Sequence, residues 1–128
     1  MTFSIIARCP ATGQFGAAVS SSSPAVAARC VRARAGVGAA VSQNITDPAL
    51  GPLILDAMGQ GRSPERALQS LAERPFISYR QLMAIDATQA PAIFTGSNAL
   101  GRLASAKGEH AACCLLYTSD AADDSLRV

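Results

Sequence analysis

The first apolar run of the chain alternates between two faces, as the residues of a β-strand do. Residues 2–7 follow this two-residue period. A proline and a glycine then fall within residues 9–13, which favours a turn, and a second apolar run occupies residues 15–20. The pattern therefore predicts a β-hairpin that begins at the second residue of the chain.

Two later segments have the spacing of amphipathic helices. Asp47 and Ser63 each precede a proline, an arrangement in which an N-cap acceptor is followed by Pro at the first helical position. The apolar residues that follow recur every three or four positions, so we expect one face of each helix to be buried against a sheet. These positions are Leu50, Leu53, Ile54, Ala57 and Met58 in the first segment, and Ala67, Leu68, Leu71 and Ala72 in the second.

Further apolar runs predict the remaining strands. Residues 35–42 read as a third strand, residues 79–86 as a strand buried on both faces, and residues 92–95 as its partner. The predicted order is three strands, two helices and two strands. Because strands and helices do not alternate, the fold class is α+β.

The end of the chain departs from this pattern. Asp120, Asp123 and Asp124 are three of the nine acidic residues of the chain and lie close together. We therefore expect one domain over residues 1–113, and a tail over residues 114–128 that packs poorly. The tail resembles the out-of-frame translation of a sequencing-adapter junction, and a natural frayed terminus is the alternative.

The composition excludes several classes of protein. The 128 residues are 49% hydrophobic and 16% charged, which suits one globular domain. A net charge of +2 and the absence of Trp argue against nucleic acid as a partner. The sequence has neither a signal peptide nor an apolar run of about 20 residues, so we expect a cytoplasmic protein without a membrane span.

The cysteines and the single histidine do not form a metal-binding pattern. Cys9, Cys30, Cys113 and Cys114 lack C-x-x-C spacing, and His110 is the only histidine. We expect no metal and no cofactor, and reduced thiols. The first two cysteines are interpreted as small buried apolar residues.

Thr2 is the first candidate for chemistry. If Met1 is removed, Thr2 carries a hydroxyl nucleophile and a free α-amine on one residue. The amine has a reference pKa of about 8, so it can accept the hydroxyl proton near neutral pH. The alternative is that Thr2 is simply a residue that favours strands.

Polar residues at other strand ends are candidates for substrate binding. The hairpin should bring Ser20, Ser21 and Ser22 beside Thr2. Elsewhere, Gln43 and Asn98 follow predicted strands and could donate to an oxyanion, although both are as easily ordinary strand-end polar groups. A serine hydrolase that uses the Ser20–Ser23 run with His110 as its base is a weaker alternative.

Seven segments, in this order, resemble a bacterial family known as domain of unknown function 1028 (DUF1028). They are MTFSIIAR, PATGQFGAAV, RARAGVGAAVSQ, ALGPLILDAM, GRSPERAL, YRQLMAID and IFTGS. That family is grouped with the N-terminal nucleophile (Ntn) hydrolases, whose fold is an αββα sandwich with the nucleophile at the start of the first strand. The resemblance implies that residues 1–113 form only the N-terminal part of this sandwich.

The resemblance also implies residue roles. Thr2 corresponds to the nucleophile, and Arg34 is the sequence analogue of the basic residue that Ntn hydrolases place near it on a third strand. We therefore expect an N-terminal-threonine hydrolase of an amide or related bond, with a small-molecule or peptide-like substrate. The alternative is a non-catalytic ligand-binding or assembly module, for which a link to cell-wall peptidoglycan is one option. Either protein is expected to form a homo-oligomer when full length.

Overall fold

The computed structural model describes residues 1–117, in which eight β-strands and three short α-helices alternate with turns. The strands are β1 Thr2–Arg8, β2 Phe15–Ser21, β3 Val31–Arg34, β4 Gly38–Gln43, β5 Gln81–Asp86, β6 Ala92–Thr95, β7 Arg102–Lys107 and β8 Ala111–Tyr117. The helices are α1 Ala27–Cys30, α2 Leu50–Gly59 and α3 Pro64–Gln69, and a 3₁₀ turn spans Ile77–Tyr79.

The strands form two antiparallel sheets of four. The first sheet has the order β2-β1-β8-β7, and the second has the order β3-β4-β5-β6. The sheets face each other across a core that includes Ile6, Val41 and Met83. A second core lies between the second sheet and helices α2 and α3. The α+β class is therefore confirmed, with helices packed on one of two stacked sheets.

Most of the predicted elements are present. The first hairpin pairs Thr2 with Ser21, and its turn places Gly13 at a φ of 74°. Strands β5 and β6 are also present, and β5 is buried on both faces except at its last residue. At α3, the Ser63 hydroxyl accepts a hydrogen bond from the Arg66 amide at 3.2 Å, as an N-cap residue does.

Most positions of the two helix stripes are buried, but Ala72, which lies beyond the end of α3 at Gln69, is exposed. Met58, Leu68 and Leu71 are buried, whereas Leu53 is partly buried. Helix α2, the first of the two predicted helices, begins at Leu50. In the turn before it, the Asp47 carboxylate accepts a hydrogen bond from the Ala49 amide at 3.0 Å. The Asp-Pro signal thus organises the turn that leads into the helix.

The predicted third strand, residues 35–42, is a turn followed by β4, and β3 before this turn was not predicted. Gly36 has a φ of 74° and lies in a turn, so residues 31–34 and 38–43 pair as an antiparallel hairpin. The prediction merged this turn with β4 because alanines and glycines continue through it. This correction reverses the direction of the segment that carries Arg34.

The predicted domain end after residue 113 falls inside a strand. Strand β8 continues to Tyr117, pairs Leu116 with Thr2, and buries Leu116 to 8% exposure. The expectation that residues 115–117 pack poorly is therefore wrong. The other predicted tail residues, 118–128, lie outside the described residues.

The two faces of the first sheet differ in exposure. On β1, Ser4 and Ile6 point toward the second sheet and are fully buried, whereas Phe3 and Ile5 on the outer face are 44% and 37% exposed. None of the helices within residues 1–117 is long and apolar enough to cross a membrane.

Candidate active site

Thr2 lies at the start of β1, and its side chain shares the inner face of the strand with Ser4. The Ser22 amide donates to the Met1 carbonyl at 3.2 Å, so the next pair of the ladder, Thr2 and Ser21, is not bonded through the backbone. Side chains approach most closely at such positions. The hydroxyl oxygens of Thr2 and Ser21 are accordingly 2.9 Å apart.

The amino terminus of the chain lies next to this pair. The Met1 α-ammonium group donates to the Ser22 hydroxyl oxygen at 3.3 Å and is exposed to solvent. Removal of Met1 would therefore uncover an α-amine on Thr2 that solvent can reach. The two groups that an N-terminal nucleophile requires would then belong to one residue.

A cavity of about 410 Å³ opens beside Thr2. Its lining comes from the start of β1, the end of β2, α1, the loop after β4, Leu100 and β8. The lining residues are Met1, Thr2, Ser22, Ser23, Val26, Arg29, Cys30, Gln43, Asn44, Ile45, Thr46, Leu100 and Leu116. The volume lies within the usual range of small-molecule sites, about 300–1,000 Å³.

A chain of buried hydrogen bonds fixes the side chain of Gln43. Its Oε1 accepts from the Ser4 hydroxyl at 2.7 Å, and its Nε2 donates to Oε1 of Gln81 at 2.6 Å. Gln81 Nε2 in turn donates to Thr95 Oγ1 at 3.3 Å. Because an amide nitrogen carries two hydrogens, Gln43 Nε2 retains a second N–H donor, and Gln43 is one of the lining residues of the cavity.

The predicted substrate-binding residues separate into two groups. Ser21, Ser22 and Gln43 lie with Thr2. Ser20 pairs with Phe3 and therefore points to the outer face of the sheet. The side chain of Asn98 donates to the Ser78 hydroxyl at 3.2 Å and does not line the cavity.

Arg34 lies at the opposite end of the sandwich from Thr2. It pairs with Gly38 at the far end of β4 from Gln43, and its guanidinium forms a 2.9 Å ion pair with Asp56. Because β3 and β4 are antiparallel, the start of β3 approaches the Thr2 end and its last residue does not. The structure thus does not bring Arg34 together with Thr2.

The sequence reasoning gave no role to Arg29, Asn44 or Thr46, all of which line the cavity. Arg29 precedes β3, and one of its N–H groups donates to the Pro24 carbonyl at 3.1 Å. Recognition of the turn at Gly36 would have predicted that Arg29 lies near Gln43, since an antiparallel hairpin places the residues before β3 beside the end of β4.

A second cavity, of about 770 Å³, lies at the other end of the sandwich. Its lining residues are Ala7, Arg8, Cys9, Gly13, Gln14, Phe15, Gly16, Ala33, Arg34, Ala35 and Gly36. Hydrogen bonds from the Thr12 hydroxyl, and then from the backbone at Thr12 and Ala11, lower the pKa of the Cys9 thiol.

His110 also belongs to this second end. Its Nδ1 accepts a hydrogen bond from Arg8 Nε at 3.2 Å. Arg8 and Thr2 are six residues apart on one extended strand, about 20 Å. The structure thus does not bring His110 together with the serines that follow β2, as the serine-hydrolase alternative requires.

The chain is thus an α+β protein with two facing antiparallel sheets. Helices pack on one of these sheets, and a threonine is the first residue of the first strand. The chain matches the family of unknown function DUF1028 over residues 2–118 and therefore belongs to it. The family predicted from the sequence segments is confirmed.

The fold is similar to a crystal structure of a DUF1028-family protein from Silicibacter pomeroyi. The two chains share 30% sequence identity and superpose with a TM-score of 0.84, over 88% of this chain and 53% of the other. This chain therefore spans about half the length of that relative. The search of curated proteins gave no match.

Proposed function

We propose that the protein is an N-terminal nucleophile hydrolase that cleaves an amide or related bond with Thr2. The observation that carries this proposal is the position of the Thr2 hydroxyl, at the first residue of β1 and beside a cavity of about 410 Å³. The two facing sheets also support an Ntn-type sandwich. Arg34 has no role in the proposed mechanism because it is paired with Asp56 at the other end.

In this mechanism the α-amine of mature Thr2 accepts the hydroxyl proton as Oγ1 attacks the substrate carbonyl carbon. The hydrogen bond with Ser21 orients the hydroxyl. The remaining N–H of Gln43 stabilises the oxyanion of the tetrahedral intermediate. Collapse of this intermediate breaks the C–N bond, and the leaving amine takes the proton from the α-ammonium group. A water molecule, deprotonated by the same amine, then hydrolyses the acyl ester on Thr2.

A non-catalytic assembly module on the same fold is the second candidate. The exposure of Phe3 and Ile5, at 44% and 37%, favours it because large apolar side chains on a sheet face often mark contacts with other chains. Chemistry at residue 2 separates the two candidates, since only the hydrolase requires a free amino alcohol there.

The test begins with the mature terminus of the full chain. Intact-mass measurement reports whether Met1 is removed, and periodate oxidation detects a free N-terminal amino alcohol. The protein is then assayed against a panel of amides and short peptides as mature Thr2, Thr2→Ser and Thr2→Ala, and with one residue added before Thr2. Ser20→Ala is the matched control, since Ser20 points to the opposite face.

We expect the Ser variant to retain activity, the Ser20→Ala control to match the parent, and both Thr2→Ala and the extended protein to be inactive. Retention of Met1 in the native protein would contradict the mechanism. Equal activity of the extended and mature proteins would also contradict it, because the α-amine would then not be the base.

A further inference from the structure

The cavity beside Thr2 has a positively charged side chain in its lining, which favours a negatively charged ligand. Among the lining residues within 1–117, Arg29 is the only one with a charged side chain, and none is an aspartate or a glutamate. We propose that this cavity binds a carboxylate through Arg29, and that the substrate is a small acylated amino acid. The hydrolytic part of this inference rests on the proposed function, whereas the binding part does not.

Arg29 differs from the other two arginines that line cavities. Within residues 1–117, Arg8 and Arg34 form ion pairs with Asp86 and Asp56, while Arg29 forms none. A guanidinium group has five N–H donors, and the Pro24 carbonyl accepts from one nitrogen of Arg29. Donors therefore remain for a bidentate contact with a carboxylate, the geometry that a planar guanidinium favours.

The backbone around Arg29 is well anchored. The next residue, Cys30, is 1% exposed and packs in the core between the two sheets. Its thiol lies 3.5 Å from the Thr46 hydroxyl, which joins α1 to the loop after β4. The contact with Pro24 further restrains the guanidinium itself. Arg29 itself is exposed, so this contact leaves its guanidinium accessible to a ligand in the cavity.

The other lining groups fit the rest of an acylated amino acid. Ser22, Asn44 and Thr46 present hydroxyl and amide groups, while Ile45 and Leu116 present apolar surface. A ligand that fits about 410 Å³ and contacts both Arg29 and Thr2 combines a carboxylate and an amide bond in one small molecule. An N-acyl amino acid has this arrangement.

The experiment measures binding separately from hydrolysis. N-acetyl amino acids with small apolar side chains, and the corresponding C-terminal amides, are titrated against the Thr2→Ala protein by calorimetry. We expect the acids to bind at least about tenfold more tightly than the amides, a difference that corresponds to about 1.4 kcal/mol. The preference should weaken as salt is added, because the contact is ionic.

Matched variants assign the effect to Arg29. Arg29→Gln should abolish the preference for acids, Arg29→Lys should retain part of it, and Arg102→Gln on β7 should leave it unchanged. Circular dichroism verifies that each variant is folded. Equal affinity for acids and amides, absence of binding across the panel, or an unchanged preference in a folded Arg29→Gln protein would each overturn the inference.

The same titrations separate the two proposals. If the acids bind through Arg29 but the protein with mature Thr2 hydrolyses none of them, the carboxylate site stands and the hydrolase proposal fails. If amides are hydrolysed with no preference for a carboxylate, the hydrolase stands and the inference about Arg29 is wrong.

Discussion

The two ends of the sandwich both hold a cavity and an arginine, yet their chemistry differs. The cavity at the Arg8 end is larger, about 770 Å³, but both of its arginines are already paired with aspartates of the protein. The cavity at the Thr2 end is about 410 Å³ and contains Arg29, which has no acidic partner within residues 1–117. The presence beside the Thr2 hydroxyl of an arginine without an acidic partner in the described part of the chain, and not the volume, therefore identifies the candidate site.

Arg8 shows why the larger cavity is structural. Besides its contact with His110, its guanidinium donates to three backbone carbonyls, of Asp86, Gln89 and Glu109. Asp86 ends β5, Gln89 lies in the β5–β6 connection and Glu109 in the β7–β8 connection, so one side chain joins the same end of both sheets. Arg8 is 8% exposed, and its donors are therefore committed to the fold.

The largest expected effect is at this structural end. Arg8→Met should lower the free energy of unfolding by about 3–5 kcal/mol, because it leaves three backbone carbonyls without their donor and removes the ion-pair partner of Asp86. Denaturant titration measures the change. The control Arg34→Met should cost less than about 1 kcal/mol, since the Arg34–Asp56 pair is about half exposed at 43% and 56%. Equal losses of unfolding free energy in the two variants would mean that the buried contacts of Arg8 stabilise the fold no more than an exposed ion pair does.

The second effect concerns the buried amides beneath Thr2. Gln81→Leu should cost about 1–3 kcal/mol, because the Gln43 Nε2 group loses its buried acceptor. Gln69→Leu, on the exposed face of α3, should change stability by less than about 0.5 kcal/mol. If Gln81→Leu is as mild as this control in the same unfolding measurement, the hydrogen-bond chain does not hold Gln43 rigidly.

The sequence was sufficient for elements with a strong local signal. The β1–β2 hairpin, the N-cap at Ser63 and the doubly buried β5 follow from alternation, capping and apolar runs, each of which acts over a few residues. Strands β7 and β8 were not predicted, and the predicted domain end at residue 113 falls inside β8, because its adjacent cysteines and leucines show no alternation of apolar and polar residues. Its central position between β1 and β7 depends on pairing across the whole chain.

The candidate site, like the fold, was predictable where its residues are positioned by local structure. Ser21 and Ser22 were placed beside Thr2 because the hairpin register is local. Arg34 was placed beside Thr2 by analogy with Ntn hydrolases. Because the turn at Gly36 was not recognised, the direction of the segment that carries Arg34 was wrong: Arg34 lies at the far end, and Arg29 lies at the Thr2 end. A side chain's position on a strand can be inferred from a short pattern, but the end of the sheet at which it lies depends on the direction of every preceding strand.

A third effect uses the cysteines to separate the two cavities. Cys9 lines the larger cavity and has a lowered pKa, whereas burial raises the pKa of Cys114 to about 12. At pH 8 iodoacetamide should therefore modify Cys9 at least about tenfold faster than Cys114, because the thiolate is the reactive form. Peptide mapping by mass spectrometry measures the two rates.

The modified protein then tests the comparison directly. Alkylation of Cys9 adds a group to the larger cavity, about 20 Å along β1 from Thr2, and should leave the binding of N-acetyl amino acids unchanged. The unmodified protein, titrated in parallel, is the control. Loss of binding on alkylation would place the ligand at the Arg8 end and reverse the assignment of the two cavities.

Cys114 also predicts a pH dependence of stability. Its folded-state pKa of about 12 lies above the ordinary thiol value of 9.0, so the folded state holds its proton more tightly than the unfolded chain does. This contribution to stability is fully present below pH 9 and is lost as the pH rises toward 12. Unfolding midpoints measured between pH 8 and 11 should therefore fall, and Cys114→Ala should reduce the slope. An unchanged slope in that variant would contradict the assignment.

The smallest effect compares two neighbouring serines on β2. Ser21→Ala removes the partner of the Thr2 hydroxyl at a partly buried position and should cost about 1 kcal/mol, whereas Ser20→Ala on the exposed outer face should cost less than about 0.5 kcal/mol. Both substitutions remove one hydroxyl from the same strand, so strand propensity cancels in the comparison of their denaturation midpoints. If Ser21 orients the nucleophile, Ser21→Ala should also lower kcat for any amide that Thr2 hydrolyses while KM changes little, and Ser21→Thr should restore part of the rate. A Ser20→Ala protein with the larger loss in either measurement would mean that the register of β1 and β2 is shifted by one residue, which would turn Thr2 away from the cavity.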